Sequence, residues 1–204
     1  KYHYQVPVKD KLLNIFQDDK KIKIDCTESE FESFWKNYFD FNTDYKKITS
    51  LIVDDEYLQC AIKYGYGIRI LNQDLWEMII SFIISQNNNI PRIKKSIEGL
   101  CKIFSIILIT SELKSFPTWI EELKNMTYKE AFEKLISFKG IGKKVANCIC
   151  LFGLHLINAC PIDTWIQKII DERYDGKIPS WMKSDVAGIY QQYAFYYERF
   201  LSKK

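Results

Sequence analysis

The sequence predicts a mainly α-helical protein with a small antiparallel β element at its N-terminus. Three observations lead there. Before residue 26 the chain runs in short strand-like segments joined by charged, turn-prone residues. From Thr27 onward, apolar residues recur at helical spacing behind side chains suited to cap helices. Between two of the helical stretches sit two glycines separated by a single apolar residue, Gly140-Ile141-Gly142.

In order, the strand candidates are Tyr2–Val8, Leu12–Phe16 and Ile22–Asp25, with Lys21-Ile22-Lys23-Ile24 alternating as a half-exposed strand should. Thr27 and Glu30 form a capping-box signature ahead of Phe31, Phe34 and Trp35. Asn42-Thr43-Asp44 opens a second helix, and Asp54 or Asp55 a third that closes at Gly65. Asn72-Gln73-Asp74 caps a helix from Leu75 to Ser85 that is apolar nearly all round, as a core helix is. Gln86-Asn87-Asn88-Asn89 breaks it, because asparagine favours turns and caps. Pro91 suits the first turn of the next helix, which carries Arg92, Lys94, Lys95 and Lys102. Helical patterns follow at Ile120–Phe138, Lys143–His155, Thr164–Arg173 and Ser184–Leu201. The expected division is a β remnant at 1–26 and a helical region at 27–204.

Composition narrows the function classes. Hydrophobic residues make up 47% and charged residues 27%, which is the balance of a globular chain and not of a disordered tail. The net charge of +3 permits a nucleic-acid partner without arguing for one, so any such partner must be read from local features. Cys26, Cys60, Cys101, Cys148, Cys150 and Cys160 lack the close pairs of a zinc site or an iron–sulfur cluster, and read as buried reduced thiols. No cofactor or metal is expected. The longest apolar run, Met78–Ser85, is too short to cross a bilayer and no signal peptide is present, which predicts an intracellular protein: cytoplasm or nucleoid in a bacterium, nucleus in a eukaryote. The first residue is Lys1, so a trimmed N-terminus is expected.

The chemically informative stretch is Leu135 to Ala146. Helix, Gly140-Ile141-Gly142, helix has the form of a hairpin whose glycines let the backbone approach a phosphate and whose second helix presents free N–H groups. A tight helix–helix turn is the alternative. Lys144 starts the second helix, and 19 residues later Asp163 stands in Pro161-Ile162-Asp163-Thr164-Trp165. Taken singly, Asp163 reads as a helix cap and Lys144 as a solvated or phosphate-contacting lysine.

Together these residues resemble the helix-hairpin-helix DNA glycosylase superfamily, and within it the 8-oxoguanine DNA glycosylase branch. Ser81 to Ile93 looks like that branch's triple-asparagine segment (86–93), Gly142 to Leu151 like its nucleophile helix within a hairpin spanning about 128–155, and Asp163 falls at its aspartate. The resemblance covers most of Thr27–Phe200. It implies a shortened glycosylase fold and a bifunctional DNA glycosylase and abasic-site lyase acting on oxidised purine. Lys144 would be the nucleophile at C1′ and Asp163 the carboxylate facing developing sugar charge. A lysine nucleophile needs an unprotonated amine, which burial beside apolar neighbours favours. Asn87 would fill the space of the extruded base, Arg92 would contact the orphaned cytosine, and Gly140, Gly142 and Lys143 would hold the backbone. Cys148, Gln191 and Phe195 would line the base pocket. For Arg92 a phosphate clamp, and for Phe195 ordinary core packing, remain open. The implied partner is double-stranded DNA containing a damaged base, met by a monomer without a membrane. The resemblance also allows an ion held by hairpin carbonyls, although no side chain demands one.

Two departures bear on the lesion. The family's Gly-Tyr/Phe-Arg segment is missing where Phe116-Pro117-Thr118 runs into Trp119, and the stretch Ile103–Thr110 follows a different pattern. The Gly-Gln-x-Phe-Arg-Trp element expected before Tyr2 is also absent from the sequence, and Lys139 replaces the usual proline before the hairpin. A naturally reduced protein and an incomplete chain both account for these gaps. Two further readings therefore stand beside the first: a glycosylase/lyase for another lesion or for abasic sites, and a helix-hairpin-helix DNA-binding module that has lost catalysis.

Overall fold

A computed structural model describes residues 2–19, 21–109 and 118–201, with the backbone alone for 103–109. The junction at Phe116-Pro117 and the side-chain pattern of Ile103–Thr110 lie outside the described residues. The chain forms two compact units, Lys1–Asn42 and Thr43–Lys204.

In the first unit, β1 (Tyr2–Val8), β2 (Lys11–Gln17) and β3 (Ile22–Ile24) make an antiparallel sheet in the order β1-β2-β3. Val8 pairs with Lys11, leaving the two-residue turn Lys9-Asp10, in which Lys9 takes φ 53 as a tight hairpin requires. The helical stretch after the sheet consists of α1 (Glu28–Glu30), a wide π turn at Phe31–Trp35 and α2 (Lys36–Tyr38). Among the described residues, Val8, Leu13, Trp35 and Tyr38 supply the buried apolar part of the unit. Thr27 accepts from the Glu30 N–H as the sequence predicts, but the reciprocal arm of the box is diverted. Glu30 Oε1 instead accepts from Lys11 Nζ at 3.1 Å and Trp35 Nε1 at 3.2 Å. A charge-assisted bond outcompetes an exposed backbone N–H that water can satisfy.

The second unit holds α3 (Tyr45–Ser50), α4 (Glu56–Tyr64), α5 (Leu75–Ser85), α6 (Ile90–Ile109), α7 (Thr118–Leu123), α8 (Tyr128–Ser137), α9 (Lys143–Cys148), α10 (Thr164–Arg173) and α11 (Ala187–Leu201). Aspartate marks several starts: Asp44, Asp55, Asp74 and Asp163 each accept backbone N–H groups in the first turn of α3, α4, α5 and α10. Such a cap contributes about 1 kcal/mol over alanine. The core is densest around α9, where Ala146, Ile149, Cys150 and Leu151 are fully enclosed together with Ile166 and Ile169 of α10. A Cβ on Gly188 of α11 would lie 2.3 Å from Leu151 Cδ1 and 2.6 Å from the Ala159 carbonyl, so only glycine lets α11 come this close. Buried Glu198 accepts from Arg173 Nη2 at 3.3 Å, Lys168 Nζ at 3.2 Å and the Tyr57 hydroxyl at 3.2 Å, tying α4, α10 and α11 together. Burial and then Glu198 push the Tyr57 phenol up.

Several boundaries differ from the sequence reading. The stretch expected as one helix over Ile120–Phe138 divides into α7 and α8, because Thr127 and Glu130 make a complete capping box that starts a new helix. The helix expected from Lys143 to His155 is α-helical only to Cys148 and continues as a π turn at Ile149–Gly153. The last helix begins at Ala187 and not Ser184, whose hydroxyl donates back to the Trp181 carbonyl and closes the turn Ser180–Lys183. The supposed core helix α5 buries only Leu75 and Ile79 completely, and Ile83 is exposed. Among the described residues, no helix is long and apolar enough to cross a membrane.

Candidate active site

The hairpin follows from its glycines. Helix α8 ends at Ser137, and Gly140 takes φ 96, a conformation that side chains disfavour. Ile141 drops into the core between the helices at 9% exposure. Gly142 is the N-cap of α9 with no side-chain cap, and space is open around the position a Cβ would take on either glycine. Lys139 and Lys143 are exposed beside them.

The three asparagines divide their work. Asn88 Nδ2 donates to the Ile84 carbonyl at 3.1 Å and closes α5, while Asn89 Oδ1 accepts from the Arg92 N–H at 3.1 Å and opens α6. Asn87, exposed like its two neighbours, takes φ 49, a left-handed conformation that asparagine tolerates better than most residues. Gln86 ties this segment to the hairpin: its Nε2 donates to the Gly140 carbonyl at 3.0 Å. Arg92 is exposed.

A pocket of about 310 Å³ opens in this unit, lined by α5, α9, the turn before α10 and α11. Lys144, Cys148, Asp163, Gln191 and Phe195 all face it, so five positions chosen from sequence meet in one place. Asn87, Arg92, Gly140, Gly142 and Lys143 do not line it. Lys144 and Cys148 reach the pocket one turn apart on α9. Asp163 arrives through its cap: Oδ1 accepts from Trp165 N at 3.1 Å and Ile166 N at 2.9 Å, which fixes the carboxylate at the start of α10.

The pocket wall is aromatic. Phe82 and Phe152 stack with centroids 5.6 Å apart, and the Lys144 amine lies 5.9 Å from the Phe82 ring centre. The enclosure expected for Lys144 is not found, since the residue is exposed. Its position at the second residue of α9 places it at the helix mouth, where the Phe82 ring faces the amine. Cys148 is buried at the pocket floor, and burial pushes its thiol up to about 11; Lys144 opposes that rise and Asp163 adds to it. The expectation of buried thiols fails for Cys60 and Cys101, which are exposed. Each lies in an amphipathic helix, where composition gives no sign of the face it occupies.

Gln73, Phe82, Phe152, Pro161 and Gln192 also line the pocket and were not singled out as pocket residues from sequence. Phe152 was findable: 144, 148 and 152 share one face at helical spacing. Gln73 reaches the pocket by tertiary folding alone, and Gln192 follows Gln191 directly, a spacing that ordinarily points to different sides of a helix. Among the described residues, no group of three or more His, Cys, Asp or Glu gathers as a metal site.

Known proteins resemble this chain in sequence and in fold. The model of the 8-oxoguanine DNA glycosylase N-terminal domain matches residues 1–79. An N-glycosylase/DNA lyase of Saccharomyces cerevisiae is 31% identical over 159 residues, covering 53% of this chain and 42% of the relative. The matches thus span less than half the length of the curated relatives. Among solved structures, the 8-oxoguanine glycosylase/lyase of Clostridium acetobutylicum, bound to double-stranded DNA with cytosine opposite 8-oxoguanine, aligns with TM-score 0.81 at 27% identity, over 98% of this chain and 86% of that one. MBOgg1 in complex with a low-affinity DNA ligand aligns with TM-score 0.78 at 28% identity and the same coverage. The likeness runs through almost the whole chain, which is thus similar in sequence and in fold to 8-oxoguanine DNA glycosylases of the helix-hairpin-helix type.

Proposed function

We propose that the protein removes oxidised purine, 8-oxoguanine, from duplex DNA and then cleaves the strand at the resulting abasic site. The observation that carries this reading is the meeting of the Lys144 amine and the capped Asp163 carboxylate in one aromatic-walled pocket. A pocket of about 310 Å³ is at the small end of ligand sites and admits one flat base. Extruding that base costs a few kcal/mol of stacking and pairing, which contacts outside the pocket must offset. In this reading the functional region is 27–204, and the exposed Asn87 and Arg92 fill the vacated stack and meet the orphaned cytosine. Gly140, Gly142 and Lys143 hold the phosphate backbone, a contact that positions without reading sequence.

Within the pocket, Phe195 stacks on the base and Gln191 hydrogen-bonds its edge above Cys148. The Lys144 Nζ lone pair attacks C1′, the glycosidic bond breaks, and the electron pair leaves with the base. Negative Asp163 stabilises the positive charge that develops on the sugar. The amine then loses a proton as the C1′–O4′ bond opens to leave a Schiff base at C1′, and removal of a C2′ proton expels the 3′ phosphate by β-elimination, breaking the strand on the 3′ side. No cofactor takes part, the partner is damaged duplex DNA met by a monomer, and the work is done inside the cell.

The test is a borohydride trap with an 8-oxoguanine:cytosine duplex. A covalent protein–DNA adduct that disappears in Lys144→Gln is the expected result. An adduct that survives that substitution, or none with the unaltered protein, overturns the reading. Abasic DNA cut far faster than 8-oxoguanine DNA would instead favour a different lesion or abasic sites as the substrate. Salt-sensitive duplex binding without any base release would mark a DNA-binding module.

A further inference from the structure

On α11 the pocket carries two neighbouring glutamines joined to each other. Gln192 Nε2 donates to Gln191 Oε1 at 2.6 Å, and Gln191 Nε2 donates to the Pro161 carbonyl at 3.2 Å. Successive helical residues project about 100° apart, so this bond is not a default of helix geometry. It forms because both side chains turn into the same pocket. Gln191 is 3% exposed, where an amide held at both ends has little freedom to reorient.

An amide offers two N–H donors and two carbonyl lone pairs. One donor of Gln191 is committed to Pro161 and one lone pair to Gln192. What remains is one donor and one acceptor in the plane of the amide. That pair complements a neighbouring N–H and C=O, the arrangement on the pairing edge of a guanine-type base. Turning the amide over exchanges donor and acceptor at almost no steric cost, and would then oppose that edge. The sense of the amide therefore decides whether the pocket accepts or repels the base.

We propose that Gln192 is a positioning residue for base recognition: its side-chain N–H groups hold the Gln191 amide in the sense that reads a guanine-type edge. The inference rests on the proposed glycosylase function and adds a specificity determinant to it. Gln192 acts through Gln191 and not on the sugar. Its loss consequently falls on base release more heavily than on cleavage at an abasic site, where no base is read.

The experiment compares unaltered protein with Gln192→Leu and Gln192→Glu. Single-turnover base release from an 8-oxoguanine:cytosine duplex and cleavage of a preformed abasic duplex are measured in the same preparations. Their ratio is independent of the fraction of folded protein. Gln192→Leu frees the amide and should lower the ratio about 3- to 10-fold, the worth of one neutral hydrogen bond. Gln192→Glu should lower it further, because a carboxylate beside Oε1 draws the Gln191 NH₂ towards itself and reverses the amide. In a Gln191→Leu background neither change should lower the ratio again, since coupled residues are not additive. An unchanged ratio in Gln192→Glu, or a full second loss in the Gln191→Leu background, overturns the inference while leaving the function intact. If the unaltered protein cuts abasic DNA but releases no oxidised purine, the substrate reading fails and this inference with it.

Discussion

The pocket and the hairpin surface hold their functional residues in different ways. In the pocket, two polar groups are held by backbone partners: Asp163 by the N–H groups that open α10, Gln191 by the Pro161 carbonyl. On the hairpin surface, Asn87, Arg92 and Lys143 are exposed, and the link between the two segments is the Gln86 to Gly140 bond. Under the proposed function, the difference follows from what each region would do. Chemistry at C1′ tolerates errors of a few tenths of an ångström, so its groups sit on rigid elements. A phosphate backbone is met by long, solvated side chains that adjust as it binds, and their contribution is electrostatic and salt-dependent.

Substitutions should therefore fall into two patterns, and the largest effect belongs to the pocket. Lys144→Gln should lower base release by at least about 1000-fold and abolish the trapped adduct, with duplex affinity retained. Asp163 tests whether rigidity and charge separate. Asp163→Asn keeps a competent cap and should leave the unfolding temperature close to the original while base release falls about 100-fold, an electrostatic loss. Asp163→Ala should lose the charge and in addition about 1 kcal/mol of stability, read by thermal unfolding. Equal stability of the two variants would show that the cap contributes nothing.

Smaller effects are expected at the hairpin. Gly140→Ala must place a Cβ at φ 96 and should cost about 1–2 kcal/mol, whereas Gly142→Ala at φ −86 with open space should cost little. If both destabilise alike, the hairpin is not held by the Gly140 conformation. Smallest of all, Arg92→Ala or Lys143→Ala should weaken duplex binding a few-fold and reduce the salt dependence of log K by about 1 for each phosphate left without its cation. An unchanged salt slope for Arg92→Ala, with weakened discrimination for cytosine opposite the lesion, would move Arg92 from the backbone to the base edge.

Much of this molecule is local and was therefore legible. Aspartates placed ahead of apolar runs announced α3, α4, α5 and α10, and the alternation of residues 2–25 announced the sheet. Gly140-Ile141-Gly142 carries its conformation in its composition, and Lys144, Cys148 and Phe152 share a face by spacing alone. What escaped was competition between equally permitted local choices. Glu30 could cap its own helix or pair with Lys11, and only the folded chain brought Lys11 within 3.1 Å. Helix α5 is apolar all round, yet part of that apolar surface walls a pocket, since burial depends on what arrives opposite.

The sequence by itself determined the hairpin, the helix starts and the order in which lysine and aspartate occur, because dihedral preference, capping and helical period act over a few residues. Only the tertiary structure decided that Lys144 stands exposed beside one aromatic face, that Gln73 and Gln192 join the pocket, and that Gln192 holds the amide of Gln191. These are meetings of groups whose nearness in space has no counterpart in spacing along the chain, or, for the two glutamines, runs against it.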